Sequence, residues 1–252
     1  GALDSLPGER VHRLRNRGAA GGNHHQFTVD TAADLHDLRA TVGAHAVDAD
    51  AEAPFLLYCG LNLPHPPFRT TREWLDRIDP SRVTVPPYEA DPHPVMDYMR
   101  VRKGCVGDFS DEELVAIRRT YYAMVAELDA MVGALVDKID ALGLAGSTYI
   151  IYLSDHGEMN MEHRMHLKNA LYEGSARVPM MVAGPGIAPG GRVDSLVSLV
   201  DVYPTLMDLA GLPHGPLHPG RRGTDPTGTC WRNHGDQGEC GLGPTLVTGA
   251  NV

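Results

Sequence analysis

Apolar residues occur along the chain in two patterns, and each pattern predicts a different kind of element. Short apolar runs without alternation are typical of strands that are covered on both faces. Such runs occupy four stretches, at residues 55–61, 148–153, 178–182 and 196–199. Apolar residues at steps of three and four across residues 114–142 instead predict one long amphipathic helix. A strand, a long helix and a strand follow one another here as a βαβ unit, which favours a mostly parallel sheet with a right-handed crossover.

The predicted long helix has start and stop signals at its two ends. Ser110 and Glu113 stand three residues apart just before the apolar stripe, which indicates a capping box. Gly143 follows the last apolar position, where glycine commonly ends a helix. Methionine and tyrosine residues recur on the stripe, and we interpret them as core contacts. Three shorter helical stretches are also predicted, at residues 31–42, 167–175 and 202–210.

The composition divides the chain into three segments. Residues 1–53 are rich in Gly, Ala, Asp and His and form a poorly defined N-terminal segment without recognisable chemistry. Residues 54–212 contain the predicted strands and the long helix and are expected to form the functional domain, although prolines make residues 79–108 loop-like. Residues 213–252 contain nine Gly and five Pro, so this tail is expected to be poorly ordered.

Charge and apolar content argue against two classes of protein, those that bind nucleic acid and those that span a membrane, while the cysteines bear on the compartment. The chain carries 22 Lys and Arg against 32 Asp and Glu, a net charge of −10, and it has no Lys-rich block. This balance argues against nucleic acid as a partner, and no apolar run reaches the roughly 18–20 residues of a membrane helix. We interpret Cys59 as a small buried apolar residue. Cys230 and Cys240 could bridge a loop in an oxidising compartment, so cysteine usage leaves the compartment open.

Polar residues follow two of the predicted strands directly. In open α/β sheets, ligands bind outside the carboxyl ends of the strands. His65 stands among three prolines after the first strand, in a loop that the prolines make stiff. Asp155 and His156 stand on a turn with Gly157 after the run at 148–153. A carboxylate beside an imidazole can offer two ligands to a divalent cation such as calcium or magnesium. The alternative is an ordinary turn in which Asp155 caps the next helix.

A longer series of motifs resembles the sulfatase family, whose members share the alkaline-phosphatase-like fold. The motifs follow in this order: Ser154-Asp155-His156-Gly157-Glu158, His163, Lys168, Tyr172-Glu173, Arg177-Val178-Pro179 and Gly184-Pro185-Gly186-Ile187. The resemblance covers about residues 54–212 and corresponds to the C-terminal portion of the family's catalytic domain. It implies an α/β fold, a three-layer sandwich around a mostly parallel central sheet, here incomplete at its N-terminal side.

The resemblance also implies roles for individual residues. Asp155 and His156 would be metal ligands, with Ca²⁺ or Mg²⁺ as the cation. His65 and Lys168 would contact the sulfate group as catalytic and substrate-binding residues, and one of the two would protonate the departing alcohol. His163 would be a further substrate-binding residue; the alternative is that it merely lines the surface.

One departure from the family's pattern concerns the nucleophile. Sulfatases use a formylglycine made from the first residue of a Cys/Ser-x-Pro-x-Arg motif, and the 252 residues contain no such motif. The sequence at 78–82 has the proline and the arginine but carries Ile78 at the nucleophile position. We therefore expect the chain by itself to be inactive.

By resemblance, the expected function is that of a sulfatase, a sulfuric ester hydrolase, acting on a sulfated sugar or glycosaminoglycan. Two alternatives stay open: a non-catalytic remnant that binds sulfated glycans, and a phosphodiesterase or phosphomutase of the same superfamily. The resemblance implies a lysosomal, secreted or periplasmic location, and the first residues do not have the pattern of a signal peptide. The identity of the sugar and the oligomeric state are left open.

Overall fold

The structure is a computed structural model, and it describes residues 23–29 and 55–212. The predicted helix at 31–42, the tail at 213–252 and the pair Cys230 and Cys240 lie outside the described residues, and the domain boundaries stay a prediction. The chain forms two compact units. The first runs up to Ala145 and also includes Met159–His166, and the second consists of Gly146–Glu158 and the residues from Leu167 onward.

In the first unit, strand β1 (Asn23–Val29) pairs in parallel with strand β2 (Phe55–Leu61). β2 has the predicted bounds, but it is not covered on both faces as the apolar run suggested. Leu56 and Tyr58 are 48% and 59% exposed, whereas alternate residues of β2 pack around Met131 of the long helix. Side chains alternate between the faces of a strand, so the described helix covers only one of them.

Two short helices follow β2: α1 (Arg72–Asp76) and α2 (Pro94–Arg102). The prediction that residues 79–108 form only loops is therefore wrong for α2. Pro94 occupies the first turn, where its missing N–H costs no hydrogen bond. The His93 ring caps the same turn by accepting a hydrogen bond from the Val95 N–H at 3.2 Å.

The long helix α3 (Asp111–Ala141) confirms the sequence prediction at both ends. The Ser110 hydroxyl accepts from the Glu113 N–H at 3.2 Å, and the Glu113 carboxylate accepts from the Ser110 N–H at 2.9 Å. Gly143 follows the helix in the left-handed conformation, with φ +71°. Four predicted stripe residues are buried, namely Leu114, Met124, Leu128 and Met131. Among the described residues, no helix combines the length and the apolar character of a membrane span.

The capping box of α3 gives a first testable prediction. Ser110→Ala removes the acceptor for the Glu113 N–H, so we expect a loss of about 1 kcal/mol in the free energy of unfolding, measured by urea denaturation. Ser110→Thr keeps a hydroxyl group at the same position and is expected to lose only a fraction of this amount. Equal losses in the two variants would show that the cap does not stabilise α3.

In the second unit, strand β3 (Ile150–Leu153) pairs antiparallel with strand β4 (Met180–Ala183). Both strands lie within one or two residues of the predicted runs. The antiparallel pairing differs from the parallel arrangement that the βαβ pattern favoured. Met180 and Val182 are buried while Met181 and Ala183 are exposed, and such one-sided covering is common in antiparallel pairs.

Two other predicted elements of the second unit are wrong. Residues 167–175 are not one helix, because Leu167 and Asn169 have φ +66° and +78°, which a right-handed helix excludes; only helix α4 (Glu173–Ala176) forms. Residues 196–199 form no strand, and the Leu196 side chain is fully exposed. The predicted last helix is confirmed as α5 (Val202–Leu209).

Candidate functional site

The turn after β3 carries the two predicted metal ligands. His156 Nδ1 lies 2.9 Å from the Gly157 carbonyl oxygen. A carbonyl oxygen only accepts hydrogen bonds, so Nδ1 carries a proton, and in the neutral ring the lone pair is on Nε2. Nε2 lies 3.5 Å from Asp155 Oδ2, and the Asp155 side chain is 85% exposed. The turn therefore places one carboxylate oxygen beside an imidazole nitrogen that has a lone pair when the ring is neutral.

Backbone contacts hold this turn in place. The Ser154 hydroxyl donates to the His156 carbonyl oxygen at 2.8 Å, and the Gly157 N–H donates to the Ser175 carbonyl oxygen at 2.8 Å. A Cβ atom at position 157 would lie 2.1 Å from the Gly174 carbonyl oxygen. Only glycine allows the two backbone segments to approach this closely.

The donor types of the turn fit a divalent cation. Metal-bound histidine commonly donates its other ring N–H to a carbonyl or carboxylate oxygen, which is the arrangement of His156. Asp155 adds a hard oxygen ligand. Within residues 55–212, however, no group of three or more His, Cys, Asp or Glu side chains is arranged to hold a metal ion. The described residues thus supply two donors of the six or more that calcium prefers.

The loop that carries His163 has an unusual backbone. Four of its non-glycine residues have positive φ: Asn160 (+42°), Met161 (+69°), His163 (+52°) and Arg164 (+53°). Each such residue costs on the order of 1 kcal/mol and persists only where the surroundings enforce it. The side chains of Met159, Met161 and Met165 in this stretch are buried. Strained backbone of this kind clusters at functional sites, which favours a functional role for the loop.

Arginine side chains enforce the conformation of the loop within the first unit. The bonds run from Arg118 Nη1 to Asn160 O (2.7 Å), from Arg100 Nε to His163 O (2.8 Å) and from Arg164 Nη1 to Pro86 O (2.8 Å). Arg100 and Arg118 are each only 5% exposed. Hydrogen bonds from charged donors are roughly twice as strong as neutral ones, so these contacts offset much of the backbone strain.

The two histidines of the loop have different partners. His163 Nδ1 lies 2.9 Å from Glu89 Oε2, and the His163 side chain is 36% exposed. His166 Nε2 lies 2.8 Å from the Lys103 carbonyl oxygen, and its Nδ1 is buried without a hydrogen-bond partner among the described residues. The His166 ring therefore contacts the protein backbone. The His163 ring contacts a carboxylate and is partly exposed at the surface.

His65 and Lys168 belong to different units. His65 is exposed and lies between two cis prolyl bonds. Its Nδ1 donates to the Pro66 carbonyl oxygen at 2.8 Å, so in the neutral ring the lone pair is on Nε2. Lys168 is half-buried between Leu167 and Asn169, both of positive φ. The meeting of His65, Asp155, His156 and Lys168 in one pocket stays a prediction.

Neither the motif-like sequence at 78–82 nor Cys59 has the environment of a nucleophile. The Ile78 carbonyl oxygen accepts from Arg119 Nε at 2.8 Å, and Asp79 caps a 3₁₀ turn (Pro80–Arg82). Hydrogen bonds from Ser81 lower the pKa of Asp79. Burial raises the pKa of the Cys59 thiol to about 11, so the thiol stays protonated near neutral pH. Both segments serve the packing of the first unit.

The sequence did not single out Glu89, Arg100 or Arg118. Arg118 lies four residues after Leu114 and therefore falls within the apolar stripe of the long helix. A charged residue at such a position is usually paired, so the sequence did contain a signal for a buried partner of Arg118. Glu89 and Arg100 carried no comparable signal, because their contacts join segments more than 60 residues apart in the chain.

A family model of the sulfatases matches residues 16–212. The chain therefore belongs to the sulfatase family, and its fold is the alkaline-phosphatase-like α/β fold of that family. Among individual proteins, it is similar to Arylsulfatase K from Bos taurus, with 43% identity over 180 residues that cover 66% of this chain and 33% of the relative. Arylsulfatase K from Rattus norvegicus is 45% identical over 175 residues, covering 64% and 31%. The chain thus spans about a third of the length of these relatives.

Solved structures share the fold. The phosphonate monoester hydrolase of Agrobacterium radiobacter has a TM-score of 0.62 and 28% identity, covering 72% of this chain and 38% of the hydrolase. A structure described with the metabolism of multiple glycosaminoglycans by Bacteroides thetaiotaomicron has a TM-score of 0.53 and 25% identity, covering 71% and 35%. Both likenesses extend over most of the described residues.

Proposed function

We propose that the chain is part of the catalytic domain of a sulfuric ester hydrolase whose substrate is a sulfated saccharide. The observation that carries this proposal is the turn after β3, where Asp155 and His156 Nε2 stand side by side in a chain of the sulfatase family. The Arylsulfatase K relatives support ester chemistry at sulfate. The neighbour described with glycosaminoglycan metabolism supports a saccharide substrate.

The proposed roles follow from the chemistry of the side chains. Asp155 and His156 would hold Ca²⁺ or Mg²⁺, which supplies positive charge for the sulfate oxygens when it is bound. Lys168 would add a second positive charge at the sulfate group. The lone pair on His65 Nε2 lets its imidazole take up a proton and pass it to the departing alcohol. We also propose the lysosomal, secreted or periplasmic location that the resemblance implied.

Sulfate recognition without turnover is the first expected result for this proposal. In the presence of Ca²⁺, the chain should bind a sulfated heparin disaccharide more tightly than its desulfated counterpart, and hydrolyse neither, because the 252 residues lack the nucleophile motif. Lys168→Ala should weaken binding about tenfold through the loss of a charge-assisted contact. Calorimetry measures binding, and ion chromatography measures released sulfate.

The control variant is Lys138→Ala, which removes a lysine from the last turn of α3. Equal affinity for the sulfated and desulfated disaccharides would contradict the proposal. Release of sulfate that Lys168→Ala abolishes would contradict the expected inactivity and would place a nucleophile within this chain.

Calcium affinity gives a second expected result. Two protein donors leave most of the coordination shell to water, so Ca²⁺ should bind weakly, with a dissociation constant on the order of millimolar. Asp155→Ala should abolish this binding in a calorimetric titration at neutral pH. Asp137→Ala, an exposed carboxylate on α3, is the matched control. Micromolar binding that is lost in Asp155→Ala would show that further ligands exist in this chain.

A phosphorus ester is the second candidate substrate. The similarity to a phosphonate monoester hydrolase favours it, at 28% identity and a TM-score of 0.62. Competition between a phenyl phosphonate ester and the sulfated disaccharide separates the two candidates. Stronger binding of the phosphonate ester would favour the phosphodiesterase alternative, and sulfate-selective binding would favour the sulfatase. Sulfate-selective binding is also expected for a protein that binds sulfated glycans without hydrolysing them. Sulfatase activity of a longer chain that contains the nucleophile motif would exclude this non-catalytic alternative.

A further inference from the structure

Glu158 ends the motif that follows β3, and the proposed function gives it no role. Its Oε1 accepts a hydrogen bond from the backbone N–H of Leu167, within the second unit. Glu158 lies two residues after His156, and Leu167 directly precedes Lys168. One side chain therefore joins the turn that carries the two proposed metal ligands to the segment that carries Lys168.

The hydrogen bond between Leu167 and Glu158 closes a stretch of chain at its base. The residues between the two, Met159–His166, belong to the first unit, so the chain leaves the second unit after Glu158 and returns at Leu167. The half-buried Glu158 side chain connects these two points. A carboxylate that accepts from a backbone N–H forms a charge-assisted hydrogen bond, which is stronger than a neutral one. The bond therefore keeps Leu167 next to the turn after β3.

The backbone on both sides of Lys168 has an uncommon conformation. Leu167 and Asn169 have φ +66° and +78°, which lie in the left-handed region. A leucine in this region costs free energy and persists only where contacts enforce the conformation. The hydrogen bond at the Leu167 N–H is such a contact. Because a rotation at Leu167 would displace the residue that follows it, the position of Lys168 depends on this bond.

We propose that Glu158 is a positioning residue that holds the Lys168 segment beside the Asp155 turn for the recognition of a sulfate group. The position of the segment rests on the bond between Glu158 and Leu167, whereas the contact of Lys168 with sulfate rests on the proposed function. Glu158 acts through the backbone and not as a ligand of the sulfate group, because two anions repel each other.

The charge of Glu158 and its reach have opposite effects on an anionic ligand. Removal of a negative charge near the site would by itself strengthen the binding of an anion. Loss of the bond to Leu167 would release the Lys168 segment and weaken that binding. Two variants separate these effects. Glu158→Gln removes the charge and keeps an oxygen acceptor at the same distance from the backbone, whereas Glu158→Asp keeps the charge and shortens the side chain by a methylene group.

Hydrogen exchange of the Leu167 N–H, measured by NMR in the full 252-residue chain, tests the positioning role without any ligand. Glu158→Asp should accelerate this exchange about tenfold through the loss of one hydrogen bond, and Glu158→Gln should retain most of the protection. The N–H groups of β3 that pair with β4 are the internal reference, because they report opening of the whole second unit. Glu162→Ala, which removes an exposed carboxylate from the neighbouring segment, is the control and should change nothing.

Binding of the sulfated heparin disaccharide in the presence of Ca²⁺ tests the connection to Lys168. Glu158→Asp should weaken binding, by no more than the tenfold or so expected for Lys168→Ala, whereas Glu158→Gln should bind as tightly as the wild-type chain or more tightly. A double-mutant cycle completes the test. In a chain that already carries Lys168→Ala, Glu158→Asp should cause no further loss of affinity.

Three results would overturn parts of the proposal. Unchanged exchange at Leu167 in Glu158→Asp, or exchange that rises equally in β3, overturns the positioning role whether or not the disaccharide binds. An additive loss of affinity in the double variant overturns the action through Lys168. Faster exchange at Leu167 in Glu158→Asp, combined with an unchanged affinity in Lys168→Ala, supports the positioning of the segment and overturns the sulfate contact of the proposed function.

Discussion

Gly157→Ala is expected to lower the free energy of unfolding by about 2–4 kcal/mol. The new Cβ would lie 2.1 Å from the Gly174 carbonyl oxygen and 3.3 Å from the Arg177 carbonyl oxygen. Both neighbours are backbone atoms, so relief requires one segment to move. That movement breaks the 2.8 Å hydrogen bond from the Gly157 N–H to the Ser175 carbonyl oxygen.

Gly146→Ala is the matched control for this prediction, because a Cβ at position 146 meets no atom within 4 Å. The two variants are compared by urea denaturation, and protease digestion of the native chain reports local opening around the Asp155 turn. Equal midpoints for the two variants would mean that residues 157 and 174 do not approach each other as closely as the structure shows. Because the turn carries Asp155 and His156, Gly157→Ala should also abolish the calcium binding proposed for this turn.

Local sequence patterns predicted the elements whose formation depends on nearby residues. The bounds of β2 and both ends of α3 were correct, because an apolar run, a capping box and a terminal glycine act within a few residues. Helix α2 was missed because prolines dominate its surroundings, although Pro94 fits a first turn. The false strand at 196–199 shows the limit of an apolar run, which predicts a strand only where a neighbouring strand pairs with it.

The pattern of positive φ angles around His163 could not be predicted from the sequence. Asn160 is the kind of residue that tolerates the left-handed region, but Met161 and Arg164 are not. Their conformation depends on tertiary contacts from arginines that lie far away in the chain. The positions of the motifs predicted metal-binding and substrate-binding residues within 155–168, and that stays a prediction. The backbone shape of this stretch follows from contacts that no local pattern encodes.

The histidine tautomers show the same division between sequence and structure. The sequence singled out His65, His156 and His163 from the positions at which they stand. In the structure, each of the three has an acceptor oxygen next to Nδ1. In the neutral form of each ring, this shared arrangement places the lone pair on Nε2. His166 has the opposite arrangement, with its Nε2 toward the Lys103 carbonyl oxygen, which separates it from the other three on chemical grounds.

Arg118 joins helix α3 to the strained loop, and its removal is expected to have the second large effect. The guanidinium donates from Nη1 to the Asn160 carbonyl oxygen and from Nη2 to the Tyr122 hydroxyl group, both at 2.7 Å. It also lies 5.5 Å from the centroid of the Tyr122 ring. Loss of the side chain leaves the Asn160 carbonyl oxygen, in a residue that is itself buried, without this donor.

Arg118→Met should therefore lower the free energy of unfolding by about 3 kcal/mol, since two charge-assisted hydrogen bonds outweigh the gain from removing a buried charge. Arg118→Lys should recover only part of the loss, because an ammonium group cannot reproduce the fork of a guanidinium. Hydrogen exchange should locate the effect at the Met161 N–H, which donates to the Met165 carbonyl oxygen at 2.8 Å within the loop. Arg102→Met, at an exposed position of α2, serves as the control. An unchanged exchange rate at Met161 in Arg118→Met, together with a destabilised α3, would mean that Arg118 stabilises the helix alone. The left-handed backbone of the loop would then be maintained by Arg100 and the buried methionines.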